Sequence, residues 1–141
     1  MYNKLIHYKV YKMVNWSNYP NFSKEEFACK ETGECDMNGD FMALLQAIRT
    51  VYGRPMVISS GYRSKNHSVE KGKKLPGEHT FGLAADILIN GMDALTLVHI
   101  ALSMGIRRIG INQVGEMRKR YIHLGMGNRS FDRMPPAIWS Y

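Results

Sequence analysis

Apolar positions along the chain follow two periods, and the switches between them mark out the elements. Within residues 40–52, Leu44, Leu45, Ile48, Val51 and Tyr52 fall at helical spacing, with Gly53 as a stop and Pro55 barring continuation. A second helix is predicted from Asp93, as N-cap, through Leu95, Leu97, Val98, Ile100, Ala101 and Leu102 to Gly105. Ser23-Lys24-Glu25-Glu26 has capping-box form and predicts a short helix that carries Phe27 inward. Short apolar runs at 56–59 and 83–89 predict buried strands, and 108–112 and 120–124 predict two more.

Between these segments the pattern breaks. Residues 1–20 alternate loosely through Leu5, Ile6, Tyr8, Val10, Tyr11, Met13 and Val14, which predicts an arm or edge strand and then a loop to Pro20. The stretch 29–39 is polar and predicts a loop. Residues 61–78, with Gly61, Gly72, Pro76 and Gly77, predict a long one, and long loops in compact domains are usually functional or disordered. The tail from Gly125 is loop-like, with Phe131, Ile138 and Trp139 as anchors. The expectation is an arm over 1–20 and one small α+β domain over 21–141, with a central antiparallel sheet flanked by helices.

A length of 141 residues fits one domain that buries a core without disulfide staples. With 45% hydrophobic and 22% charged residues the chain is neither a disordered tail nor a membrane protein. No apolar run approaches the roughly 20 residues that cross a bilayer. Polar residues interrupt the first ten positions, so no signal peptide is readable there. The net charge of +7 favours polyanionic partners without choosing among them. Lys71, Lys73 and Lys74, and again Arg107, Arg108, Arg118, Lys119 and Arg120, read first as solvated faces. Cys29 and Cys35 could close a short disulfide loop, stand as free thiols or supply half of a metal site. No second cysteine pair completes a Cys-rich zinc site, so a structural role or none is expected.

Five histidines invite a search for chemistry. His7 lies in the arm and His99 inside a helical apolar pattern, so neither has company. His79 opens Glu-His-Thr-Phe-Gly-Leu-Ala-Ala-Asp-Ile, in which Asp86 stands inside an otherwise apolar strand. A buried carboxylate is expensive unless paired or bound to metal. His123 stands in another predicted strand, and neighbouring strands that joined these three would offer a metal two imidazoles and a carboxylate, with a fourth position open. No His-Glu-x-x-His helix anchors such a site, so spacing alone is only suggestive.

The wider series is Asn21-Phe22-Ser23, Glu26-Phe27, Cys29, Cys35, Leu45-Gln46-Ala47-Ile48-Arg49, Ser59-Ser60-Gly61-Tyr62-Arg63-Ser64, His79-Thr80-Phe81-Gly82-Leu83-Ala84-Ala85-Asp86-Ile87 and Ile122-His123-Leu124. In this order it resembles the M15 family of zinc D-alanyl-D-alanine carboxypeptidases and phage-type peptidoglycan endopeptidases, from about Asn21 to Gly125. The resemblance implies the fold shared by those peptidases and hedgehog signalling domains, one zinc per chain, and His79, Asp86 and His123 as its ligands. Arg63 would grip a carboxylate of the peptide substrate, as a guanidinium fork suits, and Ser60 and Ser64 would brace that loop or touch substrate. Hydrolysis by zinc-bound water normally uses a nearby carboxylate to move the proton. Here the chain departs from its relatives: Arg120 stands three positions before the last histidine, where several branches carry Asp or Glu, and Gly125 replaces the acid of a His-x-Asp pattern. Glu116 is the nearest remaining acid in sequence, with His67 and Glu78 as further candidates.

The implied function is cleavage of an amide in the stem or cross-link of bacterial peptidoglycan by a phage or prophage lytic protein, a monomer. It would be made in the host cytoplasm and reach the wall after holin release or in a virion. The alternative is a zinc-containing wall-binding module that has lost turnover, a reading that Arg120 and Gly125 motivate. A nucleic-acid-binding domain would account for the charge but for neither Asp86 nor the Ser-Gly-Tyr-Arg-Ser loop.

Overall fold

Helix α1 (Lys24–Phe27) forms on the expected capping box: Ser23 donates to Glu26 Oε2 from its backbone N–H at 2.6 Å and its hydroxyl at 3.0 Å. Phe27 is fully buried against Phe22 and Trp16, with ring centroids 5.4 and 5.5 Å away. The computed structural model describes residues 13–127 and 134–141. Most of the expected arm, residues 1–12, and the anchor Phe131 lie outside the described residues.

Helix α2 (Gly39–Tyr52) is capped by Asn38, whose side chain accepts from the N–H groups of Asp40 and Phe41, and is closed by Gly53 at φ 74°. It buries Phe41, Met42, Leu45 and Ile48. Helix α3 (Gly91–Ser103) starts earlier than its pattern predicts, with Asn90 at the cap position. Asp93 lies in the first turn instead, where it accepts from Arg54 at 2.7 Å. Ala94, Leu97 and Ala101 face inward, and His99 is exposed.

The strands are β1 (Val57–Ser60), β2 (Ala84–Leu88), β3 (Arg108–Asn112), β4 (Tyr121–Gly125) and β5 (Ala137–Ser140), in the order β1-β2-β4-β3-β5. The first four pair antiparallel, as expected for an α+β domain. The tail adds what the pattern missed, a fifth strand parallel to β3 that sets Trp139 opposite Gly110.

Alternation assigns the two faces of this sheet. Ala85, Ile87, Ile109, Ile122 and Leu124 are buried in one core with the inner residues of α2 and α3. Each large side chain so buried stabilises the fold by about 1.5–3 kcal/mol. The opposite face carries Asp86, His123 and Gly110, which are mutual partners in register: Asp86 faces His123 across β2 and β4, and Gly110 faces His123 across β3 and β4. The apolar face therefore holds the sheet in place while the other presents polar chemistry. Among the described residues no helix is long and apolar enough to cross a membrane.

Candidate metal centre

Pairing of β2 with β4 brings Asp86 and His123 together, and the third residue comes from the end of the long loop. His79 sits on a short 3-10 helix, Glu78–Phe81, closed by Gly82 at φ 67°. A side chain at Gly82 would strike the backbone of Asp36–Asn38, so this turn seats directly against the start of α2. Donor atoms of His79, Asp86 and His123 all lie within 4.8 Å of one another, and all three residues are buried.

Each imidazole has one nitrogen committed outside the group. His79 Nδ1 donates to the Gly61 carbonyl at 2.7 Å, which leaves Nε2 facing Asp86 Oδ1 at 3.4 Å. His123 turns Nδ1 to Asp86 Oδ1 at 3.0 Å and Nε2 to Glu78 Oε1 at 2.5 Å. A tetrahedral zinc with bonds of about 2.0–2.1 Å holds its ligand atoms roughly 3.3 Å apart. The separations of 3.0 and 3.4 Å match that spacing. Two imidazoles, one carboxylate and hydrogen-bonded outer nitrogens form a donor set that fits zinc.

The electrostatics follow from burial opposed by close partners. Burial pushes the Asp86 carboxyl up, but hydrogen bonds from His123 and His79 and their charge hold it well below the usual carboxylate range. Burial likewise opposes the charge on Glu78, yet His123 and Arg108 lower its pKa. For His123 the desolvation penalty is outweighed by bonds to Asp86 and Glu78, which raise its pKa.

Arg63 lies on the loop that leaves β1. Its backbone N–H donates to the His79 carbonyl at 3.2 Å, while its guanidinium donates to Ser60 Oγ and to Glu70 Oε1, each at 3.3 Å. Ser64 is fully buried and its hydroxyl accepts from the Asn66 N–H, so it braces the loop. Glu70 is the loop's hidden organiser: its buried carboxylate accepts from Arg63, Lys73 and the Gly77 N–H. Sequence reasoning missed it because its neighbours are polar and basic, and nothing local marks a glutamate that turns inward.

Glu116 is not brought to this group. It stands on the connection beyond the Asn112–Tyr121 end of the β3–β4 ladder, where its exposed carboxylate accepts from Arg118 at 2.9 Å. Arg120 points to the Gly115 carbonyl. His67 pairs with Glu31 at 2.6 Å and bolts the long loop to the 29–39 loop. Cys29 and Cys35 are free thiols. Glu78, one of the further candidates, does reach the group, its carboxylate accepting from His123 Nε2.

Comparison with known proteins adds an independent line. The family model described as Peptidase M15 matches residues 20–125, which span every donor named above. No curated protein matches the chain.

Proposed function

The chain belongs to the peptidase M15 family, and on that footing we propose that it is a zinc metallopeptidase cutting an amide in the peptide stem or cross-link of bacterial peptidoglycan. Its setting would be a phage or prophage lytic protein acting on the wall. The observation that carries this reading is the buried trio His79, Asp86 and His123, whose donor atoms lie within 4.8 Å of one another, close enough to share one ion. Zinc bound there would polarise the scissile carbonyl and lower the pKa of water to about 7.

The residues around the trio take definite parts in this proposal. Asp86 supplies the anionic donor, and the two imidazoles supply neutral ones. Arg63 binds a carboxylate of the stem peptide, and Ser60 and Glu70, each accepting from a different guanidinium nitrogen, fix the plane of its fork. Because the loop is hydrogen-bonded to His79 at two points, carboxylate capture and the cutting site keep a constant separation. The net charge of +7 holds the protein near an anionic wall.

Mass spectrometry of muropeptides from purified sacculi tests this directly. New fragments from zinc-loaded protein, absent after chelation and absent with His79→Ala, are the expected result. Sacculi that bind the loaded protein but stay uncut would favour the wall-binding module instead.

A further inference from the structure

We infer that Glu78 is the positioning residue for His123, and that Gly125 is glycine because the Glu78 carboxylate fills the space its side chain would take. This rests on the zinc reading above and deepens it.

Glu78 is itself held at several points. Arg108 Nε donates to Oε1 at 3.0 Å and the Gly127 N–H donates to Oε2 at 3.3 Å. Arg108 is fixed in turn, its guanidinium donating to the Pro135 carbonyl at 2.5 Å and lying 5.3 Å from the Trp139 ring centre. The carboxylate is thus anchored from β3 and the strand end beyond β4 before it meets His123 Nε2. Glu78 accepts the hydrogen on Nε2, so a neutral ring that binds metal would do so through Nδ1, the atom turned to Asp86. The rings of His79 and Trp139, each centred 5.0 Å from that of His123, hold the imidazole from its sides. Glu78 and Asp86 occupy opposite nitrogens of the ring, so Glu78 acts through His123. Carboxylates in this outer position fix ligand orientation and raise ligand basicity.

Gly125 completes the arrangement. A Cβ there would overlap the carboxylate carbon and both oxygens of Glu78. Alanine at this position would push Glu78 off His123 without changing any charge.

The test is zinc affinity, by chelator competition, together with the visible spectrum of the cobalt-substituted protein. Glu78→Ala should weaken zinc binding about 10–100-fold and shift the cobalt spectrum. Glu78→Gln, whose amide oxygen still accepts from Nε2, should lose less. Gly125→Ala should resemble Glu78→Ala, and the double variant should bind no worse than Glu78→Ala, since removing the carboxylate relieves the overlap. Wild-type affinity and spectrum in Glu78→Ala, or a further tenfold loss in the double variant, would overturn the inference and leave the zinc reading standing. If Glu78→Ala does not fold, Glu78→Gln and Gly125→Ala decide: wild-type affinity in both overturns it. Failure of the wild-type protein to bind zinc would overturn both readings.

Discussion

The carbonyl of Gly61 accepts a hydrogen bond from His79 Nδ1 at 2.7 Å, which ties the root of the arginine-bearing loop to a candidate ligand. The Arg63 N–H returns a bond to the His79 carbonyl at 3.2 Å. Backbone groups make both loop-side contacts, so they persist when the Arg63 side chain changes. On the proposed roles, substrate binding and metal binding should therefore be separable by mutation.

Arg63→Ala should keep zinc affinity while kcat/KM on stem peptides falls. A hydrogen bond to a charged group contributes about 1.5–3 kcal/mol, so the fall should be roughly 10–150-fold. Arg63→Lys should recover little, because an ammonium does not reproduce the guanidinium fork. Loss of zinc in Arg63→Ala would contradict the separation.

Glu70 makes a pH prediction. Burial opposes its charge, but the Gly77 N–H, Lys73 and Arg63 lower its pKa below the ordinary 4.5. A carboxyl depressed by folding stabilises fully above its unfolded pKa, and that stability is lost as pH falls through the folded value. Glu70→Gln should cost about 1–3 kcal/mol near neutral pH. The gap between variant and wild type in urea unfolding should narrow as pH falls below about 4.5. A gap that widens in acid would refute the assignment.

Glu116 should be dispensable. Its carboxylate is exposed and engaged by Arg118 and Lys119 at the surface. Such pairs contribute little, so Glu116→Ala should change stability by less than about 0.5 kcal/mol and leave turnover intact. A collapse of turnover would return the proton-transfer role to this residue.

Chelation should lower thermal stability. Zinc bound only by the folded chain adds about 2.7 kcal/mol when free metal is 100 times its Kd. For a chain of this size that amounts to a Tm shift of roughly 5–10 °C. Differential scanning fluorimetry should show the shift in wild type and none in His79→Ala.

How far the sequence foretold this arrangement depends on whether a feature is local. Residues 40–52 read as a helix because cap, apolar period and stop lie within one segment, and α2 follows that reading closely. Residue types at His79, Asp86 and His123 signalled chemistry because a carboxylate inside an apolar strand needs a partner. Strand β5 escaped because Ile138 is 69% exposed and its pairing with β3 is parallel and distant in sequence, so neither alternation nor a hairpin turn announces it. Asp93 looked like a cap, yet its partner is Arg54 in the segment after α2, a contact that exists only once the helices pack. Glu78 was visible beside His79, but its bond to His123 depends on the β2–β4 register and on the space left at Gly125.

The most direct measurement of the central claim is X-ray absorption at the zinc edge of the loaded protein. The account predicts one zinc per chain with nitrogen and oxygen neighbours at about 2.0–2.1 Å and the scattering signature of two imidazoles. Sulfur at about 2.3 Å, as Cys29 or Cys35 would supply, or the absence of imidazole scattering, would contradict it.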